Sequence, residues 1–279
     1  SFDKELRGAG FDKYDVIPAS ELDLTSADLR RKALPARGYQ PAVFQDGKTG
    51  RQDGKAGRQV DRKAANSAKA MLDKAIAAKG GLAKLQAIKT VLSEGTMMVT
   101  DLGGPAPFKV VANIEYPDRF RVDADMPGGR VGQVYSAGRY WIIDPDGKAS
   151  ELPEEGRPEI KAAIQRDMIA LLVKAGTGKL VVREVDSEEP VLAGIEVSGP
   201  DMRPVTLFVN RDNGLIDRSR YEGPDGRVEE RYSDYRSVDG IKIPFHTVVR
   251  RTGMTSIERD VKTIKFNVPL AGGIFDKPR

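Results

Sequence analysis

Hydrophobic and polar positions alternate from Ile241 to Arg250. Ile241, Ile243, Phe245, Thr247 and Val249 fall on one side of a period-two pattern, and Lys242, Pro244, His246, Val248 and Arg250 on the other. That period predicts a strand with one buried and one mostly wet face. Asp239-Gly240 just upstream supplies the positive-φ position of a tight hairpin turn. Pro244 has no N–H to give a ladder, which predicts an edge strand or a bulge near it. A second run leads to Lys265-Phe-Asn-Val-Pro.

Comparable runs cover Ile88–Thr100, Phe108–Tyr116, Arg119–Asp125, Arg130–Ser136, Arg139–Asp144, Lys179–Val185, Val191–Ser198, Pro204–Asn210, Leu215–Tyr221 and Arg227–Tyr235. Asn213-Gly214 and Asp225-Gly226 sit where hairpin turns are needed. Apolar residues at helical spacing mark Arg62–Lys79, stopped by Gly80-Gly81, then a short piece from Leu82 to Ala87. A single helix is expected from Pro158 to Ala175, with Ile160, Ala163, Ile164, Met168, Leu171 and Leu172 on its apolar side. The fold class is therefore α+β, mainly antiparallel β. About 11–12 strands joined by short turns predict one large sheet in up-and-down order. Such a sheet cannot stay flat, and is expected to curl into a half-barrel with helices over its concave face.

Three segments follow from composition. Residues 1–29 are acidic on balance and hold one apolar piece, Tyr14-Asp-Val-Ile-Pro, that reads as a docking strand. Residues 30–65 are basic and glycine-rich, with Asp46-Gly-Lys-Thr-Gly-Arg-Gln repeated as Asp53-Gly-Lys-Ala-Gly-Arg-Gln. Neither copy has an apolar position to bury, so this segment reads as a flexible linker. Residues 66–279 form the half-barrel domain.

Composition removes whole classes of chemistry. The chain has no cysteine and one histidine, so a thiolate or paired-imidazole metal site is not expected, and neither is any cofactor. His246 reads as a surface residue on the wet face of its strand. No G-x-S-x-G elbow is present to make it the base of a serine triad. Ala175-Gly-Thr-Gly-Lys179 follows a helix, puts Val173 at the first glycine of a phosphate loop and Leu180 at the magnesium-binding hydroxyl, so it reads as a helix cap. Glu154-Glu155 and Glu188-Glu189 read as solvated turn residues. A net charge of +4 over 279 residues is no nucleic-acid footprint. No apolar run reaches the ~18 residues of a membrane helix, and the N-terminus lacks the apolar segment of a signal peptide.

The inward side chains of a curled sheet can enclose an apolar volume. Candidate lining residues are Val91, Met97, Val99, Val110, Phe120, Val122, Trp141, Leu207, Val209 and Phe245, although the same alternation also serves a filled core.

Two regions carry a resemblance. Lys79-Gly-Gly-Leu82, Leu85-Gln-Ala-Ile-Lys-Thr and Glu94-Gly95 resemble the entry into the first strand of LolA/LolB-like lipoprotein-carrier domains. Asp234-Tyr-Arg-Ser-Val-Asp-Gly-Ile-Lys-Ile-Pro-Phe, Phe266-Asn-Val-Pro-Leu and Ile274-Phe-Asp-Lys-Pro resemble the end of outer-membrane lipoprotein-sorting domains. The resemblance implies a bacterial periplasmic half-barrel that shelters a lipid or the acyl chain of a lipoprotein, without catalysis. A shorter likeness, Phe11-Asp-Lys-Tyr-Asp-Val-Ile-Pro with Glu21-Leu-Asp-Leu, is to the trailing edge of a pitrilysin/insulinase-type zinc peptidase. It implies a peptidase-family partner or a fusion, and an alternative role as an accessory domain with no lipid ligand. No proteolysis carries over, because the H-x-x-E-H ligands are missing.

Overall fold

Thirteen strands hydrogen-bond into one antiparallel sheet in this computed structural model, which describes residues 54–100, 107–154, 157–224, 226–251 and 254–277. The docking strand and peptidase likeness of residues 1–29, and the linker up to residue 53, lie outside the described residues. The strands are β1 (Thr90–Val99), β2 (Phe108–Glu115), β3 (Arg119–Met126), β4 (Gly129–Ser136), β5 (Arg139–Ile143), β6 (Ala149–Glu151), β7 (Val181–Val185), β8 (Leu192–Gly199), β9 (Met202–Asn210), β10 (Ile216–Gly223), β11 (Gly226–Val238), β12 (Ile241–Arg251) and β13 (Met254–Phe266). Only β6, three residues long, had no counterpart in the hydrophobic pattern.

The order across the sheet is β6-β5-β4-β3-β2-β1-β13-β12-β11-β10-β9-β8-β7. Chain neighbours pair everywhere except β6 and β7, and the first and last strands meet in the middle, Val91 opposite Phe266 and Val99 opposite Ile257. The chain leaves the centre, reaches one edge at β6, crosses to the other edge at β7, and returns. The sheet does not close into a barrel, and the crossing segment is helical.

Four helices are described: α1 (Gly54–Ala78), α2 (Leu82–Ala87), α3 (Arg157–Gln165) and α4 (Met168–Gly176). The helix expected from Arg62 begins at Gly54, so the second copy of the tandem repeat is helical from that residue on. Lys55, Ala56, Arg58 and Gln59 are strong helix formers, and lengthening an existing helix avoids the cost of nucleation. The single helix expected over Pro158–Ala175 is two. Asp167 breaks it by capping α4, its carboxylate accepting from Ala170 N at 2.9 Å. Thr177 closes α4, its hydroxyl donating to Val173 O at 2.8 Å, which confirms the cap reading of the Gly-Thr-Gly segment. No helix among the described residues is long and apolar enough to cross a membrane.

The core fills one half of the concave face. Ala68, Leu72, Ala75 and Ile76 of α1 and Leu171, Leu172 and Ala175 of α4 pack with Ile195, Val197, Val205, Leu207, Val209 and Ile216 of β8–β10. Over the other half, Ile160 and Ile164 of α3 pack on Phe120, Tyr135, Tyr140 and Ile142. The far side of α3 is tied to β9 and the turn before it: Glu159 takes a bidentate Arg203, and Gln165 donates to Asp201 O at 3.0 Å. Helix α3 thus bridges the two limbs of the open sheet.

Pro244 does not mark an edge strand, because β12 lies between β11 and β13. The β12–β13 ladder runs only from His246 to Arg251. Below that point the strands part, and the N–H of Lys242 instead donates to Lys79 O at 3.0 Å. Pro244, two residues on, turns its nitrogen to the same side, where no ladder asks for a donor. The Lys79–Gly81 turn fits into this split. A Cβ on Gly80, whose φ is +122°, would lie 2.4 Å from Gly240 O.

Gly80→Ala is expected to lose at least about 2 kcal/mol of stability, from positive-φ strain plus a backbone clash. Gly128→Ala, which would meet nothing within 4 Å, is expected to stay within about 0.5 kcal/mol of the parent. Urea denaturation of the two variants checks this.

Candidate functional site

Strands β1–β3 turn small and medium apolar side chains to the concave side: Val91, Met97 and Val99 with Ser93 and Gly95, then Phe108, Val110, Ala112 and Ile114, then Phe120, Val122, Ala124 and Met126. Facing them are Ile160, Ala163 and Ile164 of α3 and the first turn of α4. No side chain of the described residues fills the space between. The result is a cavity of about 770 Å³, within the size range that encloses a drug-sized molecule. Gly95 belongs to the wall for a steric reason: it sits at a bulge in the β1–β13 ladder, and a Cβ there would lie 2.1 Å from Asp260 O.

Six of the ten candidates from the hydrophobic pattern line this cavity: Val91, Met97, Val99, Val110, Phe120 and Val122. The other four do not. Leu207 and Val209 are fully buried on the concave side under α1 and α4, where the core is filled. Phe245 belongs to the same core, with the Arg236 guanidinium 4.4 Å from its ring centre. Trp141 points to the convex face: it pairs with Val134 across β4–β5, and Arg139 stacks on its ring at 5.2 Å. Alternation identifies which residues share a face, but not which part of that face a helix covers.

One wall of the cavity is polar, which the apolar pattern did not reveal. Ser219 and Tyr232 share a hydrogen bond of 2.8 Å, Tyr221 donates to Glu230 at 2.9 Å, and Arg259 reaches Glu230 at 3.2 Å. Arg166 stacks on Tyr221, 3.9 Å from its ring centre. Burial raises the Tyr232 hydroxyl well above its ordinary pKa, so it stays protonated.

Lys79, Tyr116 and Asp167 form a second polar group on the wall. Tyr116 donates to Asp167 Oδ1 at 2.8 Å. Burial pushes both the Asp167 carboxyl and the Tyr116 hydroxyl upward. Lys79 is 2% exposed. Burial lowers its pKa to about 8, against an opposing pull from Asp167. In sequence Lys79 is the last residue of a helical run before a Gly-Gly stop, and nothing there points to its burial. Its burial follows from the split between β12 and β13, a tertiary feature.

The site holds polar groups in fixed hydrogen bonds beside a large apolar wall, an arrangement suited to binding an amphipathic molecule. Among the described residues no group of three or more His, Asp or Glu is placed to hold a metal ion. His246 lies on the outward side of β12, its Nδ1 2.8 Å from Asp260 Oδ1.

No protein-family profile matches the chain, and no curated protein matches it. Solved structures do. The chain is similar to a DUF1329 family protein from Desulfovibrio piger, at 13% identity and a TM-score of 0.54, covering 75% of this chain and 97% of that one. It is similar to a putative outer membrane lipoprotein-sorting protein domain from Vibrio parahaemolyticus, at 10% identity and 0.52, covering 76% and 97%. It is also similar to a LolA superfamily protein from Nitrosomonas europaea, at 14% identity and 0.51, covering 75% and 97%. At these identities the likeness establishes the fold, a LolA-like half-barrel, which agrees with the architecture read from the strand pattern.

The unfolded chain holds the Lys79 proton up to its ordinary pKa of 10.5, and the folded chain only to about 8. Between those values the unfolded state binds more protons, so the Lys79 contribution makes stability rise with pH over that window. Chemical denaturation across it should show this rise in the parent and its loss in Lys79→Met.

Proposed function

We propose that this domain is a non-enzymatic binding or carrier module that shelters the apolar chain of a lipid or lipoprotein in its half-barrel, in the bacterial periplasm. The observation that carries this reading is the 770 Å³ space, unfilled among the described residues, between an apolar sheet wall, helix α3 and the first turn of α4. Protein interiors are close-packed, so an apolar void of this size forfeits contacts that a guest can restore. An acyl chain entering it gains about 0.8 kcal/mol per buried methylene. The wall is soft where it meets the guest: Met97 and Met126 adapt to variable shapes. The fold shared with a protein described as a putative outer membrane lipoprotein-sorting domain supports the same reading.

Displacement of a fluorescent fatty acid, together with native mass spectrometry of the purified protein, tests it. Uptake of one apolar guest per chain is expected, and a chain that takes up none would sink the proposal. Ala112→Trp, which fills the cavity from β2, should weaken uptake by about tenfold or more with folding retained. Leu207→Ala, in the filled core, should instead lose about 2–5 kcal/mol of stability and keep its uptake.

A further inference from the structure

We infer that Lys79 recognises the carboxylate of a single-chain amphiphile in the cavity, which makes a fatty acid the class of ligand. The inference rests on the carrier reading above and extends it from the apolar chain to the head group.

Lys79 is 2% exposed and lines the cavity. Among the described residues its ammonium has no hydrogen-bond or ion-pair partner. The Tyr235 ring lies 5.6 Å away, and Asp167 acts on it only through space. A buried ammonium with its donors unused is strongly disfavoured, and a ligand that accepts from it removes that penalty. The depressed pKa is the expected mark of such a group.

The backbone keeps the side chain from withdrawing. Lys79 N donates to Ala75 O at 3.1 Å, and Lys79 O accepts from Lys242 N at 3.0 Å. Gly80 behind it is seated against Gly240. Asp167 does not take the place of a ligand, because it lies beyond ion-pair distance of Lys79 and acts on it only through space.

The charge count selects a carboxylate. The other cations of the wall are engaged: Arg166 on the Tyr221 ring, Arg259 with Glu230, and Arg119 with Glu115. Burial pushes the Asp167 carboxyl toward its neutral form, which leaves the Lys79 ammonium to balance a single negative charge from the ligand. A phosphate monoester carries about 1.5 to 2 charges at neutral pH and would leave buried charge uncompensated. The cavity volume likewise suits one chain.

The test is displacement of the neutral dye N-phenyl-1-naphthylamine from the full chain by palmitate, methyl palmitate and hexadecyl phosphate, in the parent and in Lys79→Met. Palmitate should bind the parent about tenfold or more tighter than its methyl ester. Lys79→Met should abolish that preference, so that acid and ester bind about equally, and a cooperative urea transition of the variant shows that it is folded. Equal binding of acid and ester by the parent, or an undiminished acid preference in Lys79→Met, overturns the head-group inference and leaves the carrier reading standing. Tighter binding of hexadecyl phosphate overturns the choice of carboxylate. A parent that binds the dye and none of the three ligands overturns both readings.

Discussion

The hydrogen bond from Lys242 N to Lys79 O is the contact on which the rest of the arrangement depends. It joins the end of α1 to a strand in the centre of the sheet, at the one place where that strand has let go of β13. Three local features make it possible: Pro244 removes a donor, Gly240 turns the hairpin at a φ of +76°, and Gly80 has no Cβ to strike it. With α1 anchored there, its apolar residues fall on β8–β10 and on α4. The adjoining residue, Lys79, is carried into the space beyond.

That anchoring divides the concave face. Under α1 and α4 the sheet offers Leu, Ile and Val with exposures near zero, and the space is filled. Toward β1–β3 the inward row includes Ser93, Gly95, Ala112 and Ala124, which are too small to meet α3 across the gap. Helix α3 cannot sink to close the distance. It is held from one side by Glu159–Arg203 and from the other by Ile160 and Ile164 on the aromatic cluster of Phe120, Tyr135 and Tyr140. A filled core and an open cavity therefore coexist on one continuous sheet, and the first provides the rigidity that the second lacks.

Period-two alternation made the strands and the curled sheet legible, because most strands turn their apolar residues to one face. Phe120, Val122 and Ala124 of β3 share the face that lines the cavity, although Asp123 on the opposite face is buried too. Alternation says nothing of what lies above the dry face, which is why Leu207 and Val209 passed as wall residues while sitting in the filled half. Trp141 misled for another reason: in β5 both faces are covered, so Tyr140 and Trp141 are equally buried and the strand has no wet side to read against. Pro244 pointed correctly to an open place in the ladder but not to an edge, since the opening is local and inside the sheet. The break between α3 and α4 was signalled by Asp167, a strong capping residue within an otherwise apolar helical period.

The polar groups show what composition cannot. Lys79, Asp167, Glu230 and Arg259 are charged residues scattered through the sequence, and none sits in a catalytic or ligand-binding motif. Folding brings them to one cavity wall, where Asp167 and Glu230 meet tyrosine hydroxyls. Hydrophobic side chains of similar volume would serve stability at least as well as buried ions do. The tyrosine–carboxylate pairs at least satisfy one another. Among the described residues the Lys79 ammonium has only the Tyr235 ring and the more distant Asp167 near it, so the proposed carboxylate would supply a partner that they do not. An apolar wall alone would accept any oily molecule, whereas on the proposal above a single fixed ammonium beside that wall would make the container selective.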